Sequence, residues 1–285
     1  MLLDNLTSLF AHLGSHWQEH ARSTEFYKFH DSVMRHAIEE SKQSFEKGDG
    51  VSFGELGKIV LPYQKMGAID SLDLFGLDEL IVFAFYHRAR GRYRRASDIG
   101  ANLGLHSIVM TKCGFAVDAF EPDPTHFKLL TRNLSLNGVG NCQPYEEAVS
   151  DHPGRMEFVR VLGNTTGSHL AGAKTNPYGD LERFEVKVAD IKEIASRSDF
   201  LKVDAEGHED VILTAISREQ WAKLDAIVEV GSEKNAGTLY SYFRSIGVNV
   251  YAQKLGWQRV ASLGQMPTSY KEGGVFVSAK AQMPW

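Results

Sequence analysis

The sequence predicts an α/β fold built on a largely parallel sheet, with a helical appendage at its N-terminus. Three observations predict it. From Arg95 onward, short apolar runs alternate with helical segments, the pattern of parallel strands joined by right-handed crossovers. A glycine-bearing turn, Asp98-Ile-Gly-Ala-Asn-Leu-Gly104, connects the first of these strands to a helix. The second strand runs into an acid, Glu121, about twenty residues beyond Gly100, where nucleotide-binding sheets place the carboxylate that grips a ribose.

The elements follow in order. Met1 to Lys47 reads as helical, with Phe26, Phe29, Val33, Ala37 and Phe45 near one face, and Gly48, Asp49 and Gly50 end the run. This divides the chain into an appendage, residues 1–50, and a main domain, residues 51–285. The appendage would serve as a lid, a substrate-binding element, a homodimer surface or simply a stabilising helix. A short strand over Lys58 to Tyr63 and a helix over about Leu77 to Arg90 lead to the sheet. Strands are expected at Arg95 to Ile99, Ala116 to Phe120, Asn141 to Ala148, Phe200 to Val203 and Asp225 to Val230, with helices at Pro124 to Asn137 and His208 to Ile216. Met156 to Val161 and Phe184 to Val188 are further strands flanking a polar segment, Gly163 to His169, expected to be mobile. Val248 to Gln253 and Gly274 to Ser278 complete the set.

Composition narrows the function. Of 285 residues, 43 % are hydrophobic and 24 % charged, with a net charge of -5, so no basic excess exists to neutralise a nucleic-acid backbone. The basic cluster Arg88, Arg90, Arg92, Arg94 and Arg95 reads either as a solvated loop or as a patch for an anionic substrate. Cys113 and Cys142 cannot make a disulfide framework, and the start, Met1-Leu-Leu-Asp4, lacks the positive charge of a secretory signal. The densest apolar run, Leu80 to Tyr86, is too short for a transmembrane segment. A soluble cytoplasmic protein is expected.

The loop itself discriminates between cofactors. Gly100 permits close approach of a ligand to the backbone, Asn102 tolerates a left-handed turn, and Gly104 leads into the free amides of a helix start. Dinucleotide sites favour Gly-x-Gly-x-x-Gly, whereas here the middle glycine is missing and Asp98 stands two residues upstream. A carboxylate there repels a pyrophosphate and attracts an ammonium. S-adenosyl-L-methionine carries an ammonium, a carboxylate and a sulfonium without any phosphate, so it is favoured over NAD.

At this point the chain resembles the FkbM-type S-adenosylmethionine-dependent methyltransferases. The resemblance is carried by Asp98 to Gly104, Phe120-Glu-Pro-Asp-Pro124, Asn133-Leu-Ser-Leu-Asn137, Ala148-Val-Ser-Asp151 and Phe200-Leu-Lys-Val-Asp-Ala-Glu-Gly-His-Glu209, and spans roughly Arg95 to Val277. It implies a Rossmann-like class I methyltransferase fold with a mostly parallel seven-stranded sheet, helices on both faces and an antiparallel last strand. It also implies methyl transfer, usually to a hydroxyl of a sugar, glycan or secondary metabolite.

Ligands on such sheets lie at the carboxyl ends of the strands, so Asp98, Glu121, Glu147, Asp204 and Glu229 should share one rim. The donor is assigned to Asp98, Gly100, Asn102 and Gly104, its ribose to Glu121 beside Pro122, and its adenine to Glu147, Ala148 and Val149, with Asp204 close by. If the fourth strand continues, Lys202, Asp204 and Glu206 share a face. Lys202 and Glu206 could alternatively be an ion pair, with Glu206 opening the next helix. Methyl transfer from a sulfonium needs an in-line acceptor and removal of its proton, and Asp204, Glu206 or His208 is the candidate base. Hard oxygen donors at Asp204, Glu206 and Glu229 would suit Mg²⁺, although no metal ligand is assigned and no His/Cys cluster suggests zinc. An NAD-dependent oxidoreductase and a non-catalytic module binding S-adenosylmethionine are the competing readings.

Overall fold

A computed structural model describes residues 6–48, 50–67, 69–174 and 179–285. Met1 to Asn5 of the expected N-terminal helical run, and Asp49 of the stretch expected to end it, lie outside them. The chain begins with α1 (Leu6–Ser15) and α2 (Glu25–Glu46), a ribbon of β1 (Val51–Ser52) and β2 (Lys58–Ile59), and α3 (Leu77–Arg88). The expected helical run consists of two helices, the second capped by Thr24, which accepts a bond from the Tyr27 amide. Its buried side chains are Tyr27, Met34, Ala37 and Phe45, spaced to fall on one stripe. Phe29, expected on that stripe, is 65 % exposed: it stands two residues from Tyr27, a separation that carries it round to the solvent side.

The main sheet follows from β3 (Arg95–Ile99), α4 (Leu105–Lys112), β4 (Ala116–Phe120), α5 (Pro124–Leu136) and β5 (Cys142–Tyr145). A second sheet is then inserted: β6 (Ala148–Ser150), β7 (Gly154–Val161), β8 (His169–Leu170) and β9 (Leu181–Asp190), in the order β6-β9-β7-β8. The chain returns through α6 (Ile191–Arg197), β10 (Phe200–Val203), α7 (Glu209–Thr214), α8 (Arg218–Trp221), β11 (Asp225–Val228), α9 (Glu233–Ile246), β12 (Asn249–Ala252), β13 (Gln258–Arg259) and β14 (Val275–Ser278).

The main sheet has eight strands in the order β13-β12-β14-β11-β10-β3-β4-β5. The five central and right-hand strands pair in parallel, and β14 is antiparallel to both β11 and β12. Seven of these strands are those the sequence leads one to expect. The eighth, β13, is a two-residue exposed edge with no apolar alternation to announce it. Strands β10 and β11 are buried at every position, as strands covered by helices on both faces must be. One apolar cluster joins Phe10, Leu13 and Phe45 of the N-terminal helices to Phe85, Phe115 and Phe200 beneath the sheet, and another packs Leu201, Val203, Trp221 and Phe243 on the opposite side.

The expected strand from Asn141 to Ala148 is broken at Glu146 and Glu147. Tyr145 ends β5 opposite Phe120, whereas Ala148 pairs with Val188 in the second sheet. The break transfers the chain between sheets, a choice of partner that local pattern does not encode. The segment Gly163 to His169, expected to be mobile, is anchored: the Thr165 amide donates to the Met66 carbonyl at 2.9 Å, and Thr165 Oγ1 lies 2.9 Å from His126 Nε2.

Asp123 ties the second sheet to the first. Its carboxylate caps α5 through the Thr125 amide and accepts two bonds from Arg160 of β7, at 2.7 and 2.6 Å. Burial opposes the charge, yet these bonds hold the Asp123 carboxyl below its ordinary range. Removing the carboxylate leaves Arg160 only Glu182 as a partner and uncaps α5, so Asp123→Ala should cost about 3 kcal/mol in urea unfolding.

Candidate active site

The parallel register builds the rim. Ile99, Phe120, Val203 and Val228 are mutual partners across β4-β3-β10-β11, so Gly100, Glu121, Asp204 and Glu229 each follow immediately at the same end. Ligand-binding loops of open α/β sheets leave from this end.

At the β3 end the backbone is tightly constrained. Gly100 has φ +77°, and a Cβ there would lie 1.8 Å from the Asp204 carbonyl oxygen, so the loops after β3 and β10 touch through their main chains. Asn102 is left-handed at φ +50°, and Gly104, at φ +84°, leads into α4. Glu121 is buried, its Oε2 accepting from the Asn102 amide at 2.8 Å and its Oε1 from the Asp123 amide at 2.9 Å. Burial pushes its carboxyl up to about 7, against the pull of those two amides. Asp98 is wholly buried: Oδ2 accepts from Ser107 Oγ at 2.6 Å, and Oδ1 lies 3.6 Å from Lys202 Nζ. The carboxylate therefore sits beneath the loop, beside a cation of the protein's own.

Asp98 Oδ1 and Asn102 Oδ1 are both buried without a hydrogen-bond partner, and both are acceptors. Each Glu121 oxygen accepts one amide and retains a further lone pair. A group completing this site must bring N–H or O–H donors, as an ammonium and a ribose do. A pyrophosphate brings only acceptors, which argues against NAD. Replacing Glu121 with Gln should weaken donor binding about 10- to 100-fold by calorimetry, the worth of a charge-assisted bond.

At the β10 end Lys202 is the organiser. Its buried ammonium donates to the Gly100 carbonyl at 3.1 Å and lies 3.5 Å from Asp204 Oδ2. Burial opposes this charge, but Asp204, Asp98, Glu79 and Glu229 together hold its pKa above the ordinary lysine value. The expected common face of Lys202, Asp204 and Glu206 does not extend that far, because β10 stops at Val203 and Glu206 stands in a turn at φ +51°. Nor does Glu206 pair with Lys202 or open the helix. Its partner is Lys174, at 2.6 Å, and α7 starts at Glu209 after His208. A left-handed non-glycine backbone costs about 1 kcal/mol or more and persists only where surroundings enforce it. Here Glu209 enforces it, accepting from the Ala205 and Gly207 amides and from Asn235 Nδ2. Burial and neighbouring Asp204 push the Glu206 carboxyl up to about 7 despite Lys174.

His208 is turned towards the second sheet, its Nε2 2.9 Å from Ser150 Oγ. Burial lowers its pKa, keeping the ring neutral, but its outer nitrogen is already engaged. Of the residues assigned to adenine, Ala148 and Val149 are buried in the apolar clusters, while Glu147 is half-buried in the connection after β5. Pro122 lines a cavity of about 250 Å³ with Pro124, Glu146, Arg155, Glu185 and Lys187. The arginine cluster lies at the amino end of β3, where Arg94 and Arg95 amides bond Asp199, and so stands away from the rim. Among the described residues no group of three or more His, Cys, Asp and Glu side chains is arranged to hold a metal, and Asp204, Glu206 and Glu229 form no such group. Among them also, no helix is long and apolar enough to cross a membrane. Glu209 was open to recognition as an acid in a helix's first turn, whereas Lys174, in the connection after β8, and Arg160 of β7 arrive without a local signal.

A mostly parallel sheet with an antiparallel strand beside β11, a glycine loop over a buried acid and a buried carboxylate just past the second parallel strand are features of an S-adenosylmethionine-dependent methyltransferase. The chain belongs to the family described as the methyltransferase FkbM domain, whose model matches residues 98–247, more than half its length. Methyltransferase 1 of Beauveria bassiana (strain ARSEF 2860) is 27 % identical over 187 residues, covering 56 % of this chain and 74 % of that protein. Methyltransferase sdnD of Sordaria araneosa is 26 % identical over 164 residues, covering 46 % of this chain and 63 % of that one. Among solved structures, precorrin-6y C5,15-methyltransferase from Geobacter metallireducens GS-15 aligns at a TM-score of 0.38 and 13 % identity over 69 % of this chain and 85 % of that one.

Proposed function

We propose that this methyltransferase acts on oxygen, methylating a hydroxyl of a sugar, glycan or secondary metabolite, with Glu206 as the general base. S-adenosyl-L-methionine supplies an electrophilic methyl group when bound. The observation that carries the reading is the Glu206 carboxyl, partly open at the rim and raised to about 7 beside Asp204. A hydroxyl, unlike a neutral amine, must lose its proton as it is methylated, and a base is most effective when its pKa lies near the working pH. Lys174 fixes the carboxylate at one oxygen and leaves the other to accept the proton. Asp204, adjacent to Lys202, orients the acceptor. Asp98, Gly100, Asn102, Gly104 and Glu121, with Pro122 and Glu147, hold the donor.

Two features suit a polar acceptor. The cavity beside Pro122 is bordered by Glu146, Arg155, Glu185 and Lys187, groups of both signs that a polyhydroxylated molecule can bond. The helices of residues 1–50 reach the domain of residues 51–285 through α1 against α3, and we assign them a part in shaping the acceptor's approach. The test is transfer of labelled methyl from S-adenosylmethionine to panels of nucleotide sugars, polyketide alcohols and matched amines. Label on alcohols is the expected result, and label confined to amines or carbon would refute it.

A further inference from the structure

Glu209, the first residue of α7, is a buried carboxylate that pairs with no lysine or arginine among the described residues. Three N–H groups meet its charge instead. Oε1 accepts from the Ala205 amide at 2.9 Å and the Gly207 amide at 3.0 Å, and Oε2 accepts from Asn235 Nδ2 at 2.5 Å. Between the two bonded amides stands Glu206, at φ +51°, followed by Gly207 at φ +103°. Two successive left-handed residues form no repeating structure of their own, so the turn keeps its shape only while something outside it does the holding.

Asn235 belongs to the first turn of α9 and is 1 % exposed. A side-chain amide in such a place costs stability unless it is bonded, and its bond goes to Glu209. An ionised carboxylate can only accept, so the amide nitrogen is the atom turned inward. The side chain is set by its own helix start, where Ser232 Oγ accepts from the Asn235 amide at 3.2 Å. A neighbouring contact joins the same two helices: Lys234 Nζ lies 3.4 Å from Asp210 Oδ2. That pair is mostly open to solvent on the lysine side and touches no part of the turn, whereas Glu209 holds the turn by both its amides.

We propose that Asn235 is a positioning residue for methyl transfer: by donating to Glu209 it fixes that carboxylate against the Ala205 and Gly207 amides, and so sets where the turn presents Glu206. The proposal rests on the reading of Glu206 as the general base. Without Asn235, the Glu209 carboxylate loses its anchor in α9 and is free to turn away from the two amides. The left-handed turn then relaxes, and Glu206 moves out towards water. Asn235 lies 26 residues beyond Glu209 and carries no charge, so nothing in the local sequence announces it.

Amide hydrogen exchange, read by NMR on wild type, Asn235→Ala and Lys234→Ala, tests the link without any acceptor. Exchange at Ala205 and Gly207 is expected to quicken about tenfold or more in Asn235→Ala, the worth of a bond to a charged group, and to stay within about twofold of wild type in Lys234→Ala. The consequence is read by titrating the Glu206 carboxyl with carbon NMR, its signal assigned by its loss in Glu206→Gln. The midpoint, near pH 7 in wild type, should fall towards the ordinary carboxylate range in Asn235→Ala, because burial is the chief cause of its elevation. The charged groups acting on Glu206 are Asp204, Lys174 and Glu209, and it acts in turn on Glu229. Unchanged exchange or an unmoved midpoint in Asn235→Ala overturns the proposal, as does an equal effect of Lys234→Ala. If Asn235→Ala does not fold, Asn235→Ser is judged by the same criteria, and failure of both to fold would make Asn235 a residue of stability alone and overturn the proposal. A wild-type Glu206 that titrates in the ordinary carboxylate range would refute the reading of Glu206 as the base, whereas unchanged exchange refutes only the role of Asn235.

Discussion

Glu206→Gln should lower kcat by about 10²- to 10⁴-fold while leaving the dissociation constant of S-adenosylmethionine within about threefold of wild type. The substitution keeps the side chain's size and its contact with Lys174 but abolishes its capacity to take a proton. The pH profile supplies the second half of the test. Because burial and Asp204 raise this carboxyl to about 7, it is protonated and inactive as a base below that pH. The kcat of wild type should therefore rise through about pH 7 with unit slope and level off above it, and the residual activity of the variant should lack that limb. Asp204→Asn is expected to act differently, raising KM for the acceptor more than it lowers kcat. A large fall in donor affinity in Glu206→Gln would mean that the residue holds the cofactor and takes no proton.

Gly100→Ala should all but abolish donor binding and destabilise the fold by about 3 kcal/mol or more, read from calorimetry and from thermal unfolding. Two separate costs add. The left-handed backbone at φ +77° is strained for any residue with a Cβ, at about 1 kcal/mol or more. The new methyl would also sit 1.8 Å from the Asp204 carbonyl oxygen, which is backbone and has nowhere to retreat. The loops after β3 and β10 must then part, taking with them the bond from Lys202 to the Gly100 carbonyl. Donor site and candidate base would fail together, whereas Glu206→Gln separates them.

Much of this site is legible in one dimension because a parallel sheet converts sequence order into spatial order. Asp98, Glu121 and Asp204 each stand at or just past the end of an apolar run, and adjacent in-register strands bring such ends together. The glycine loop is legible for a related reason, since a left-handed turn restricts its residues to Gly and Asn. Glu206 shows where that reading stops. Alternation along a strand would place it beside Lys202, yet the strand ends at Val203 and a turn held by Glu209 swings it towards Lys174.

The sequence by itself determined the sheet, the glycine loop with the carboxylate that follows the second strand and the family, because each depends on residues close together or on strand ends that the sheet must align. Only the tertiary structure decided which charges meet: Lys202 with Asp98 and Asp204, Glu206 with Lys174, Asp123 with Arg160, Glu79 with His106. It also decided the division of the third strand between two sheets and the exposure of Phe29. A side chain's neighbours across the fold depend on how whole elements dock, and that is set by the sum of packing over the core. No short window of residues contains that sum.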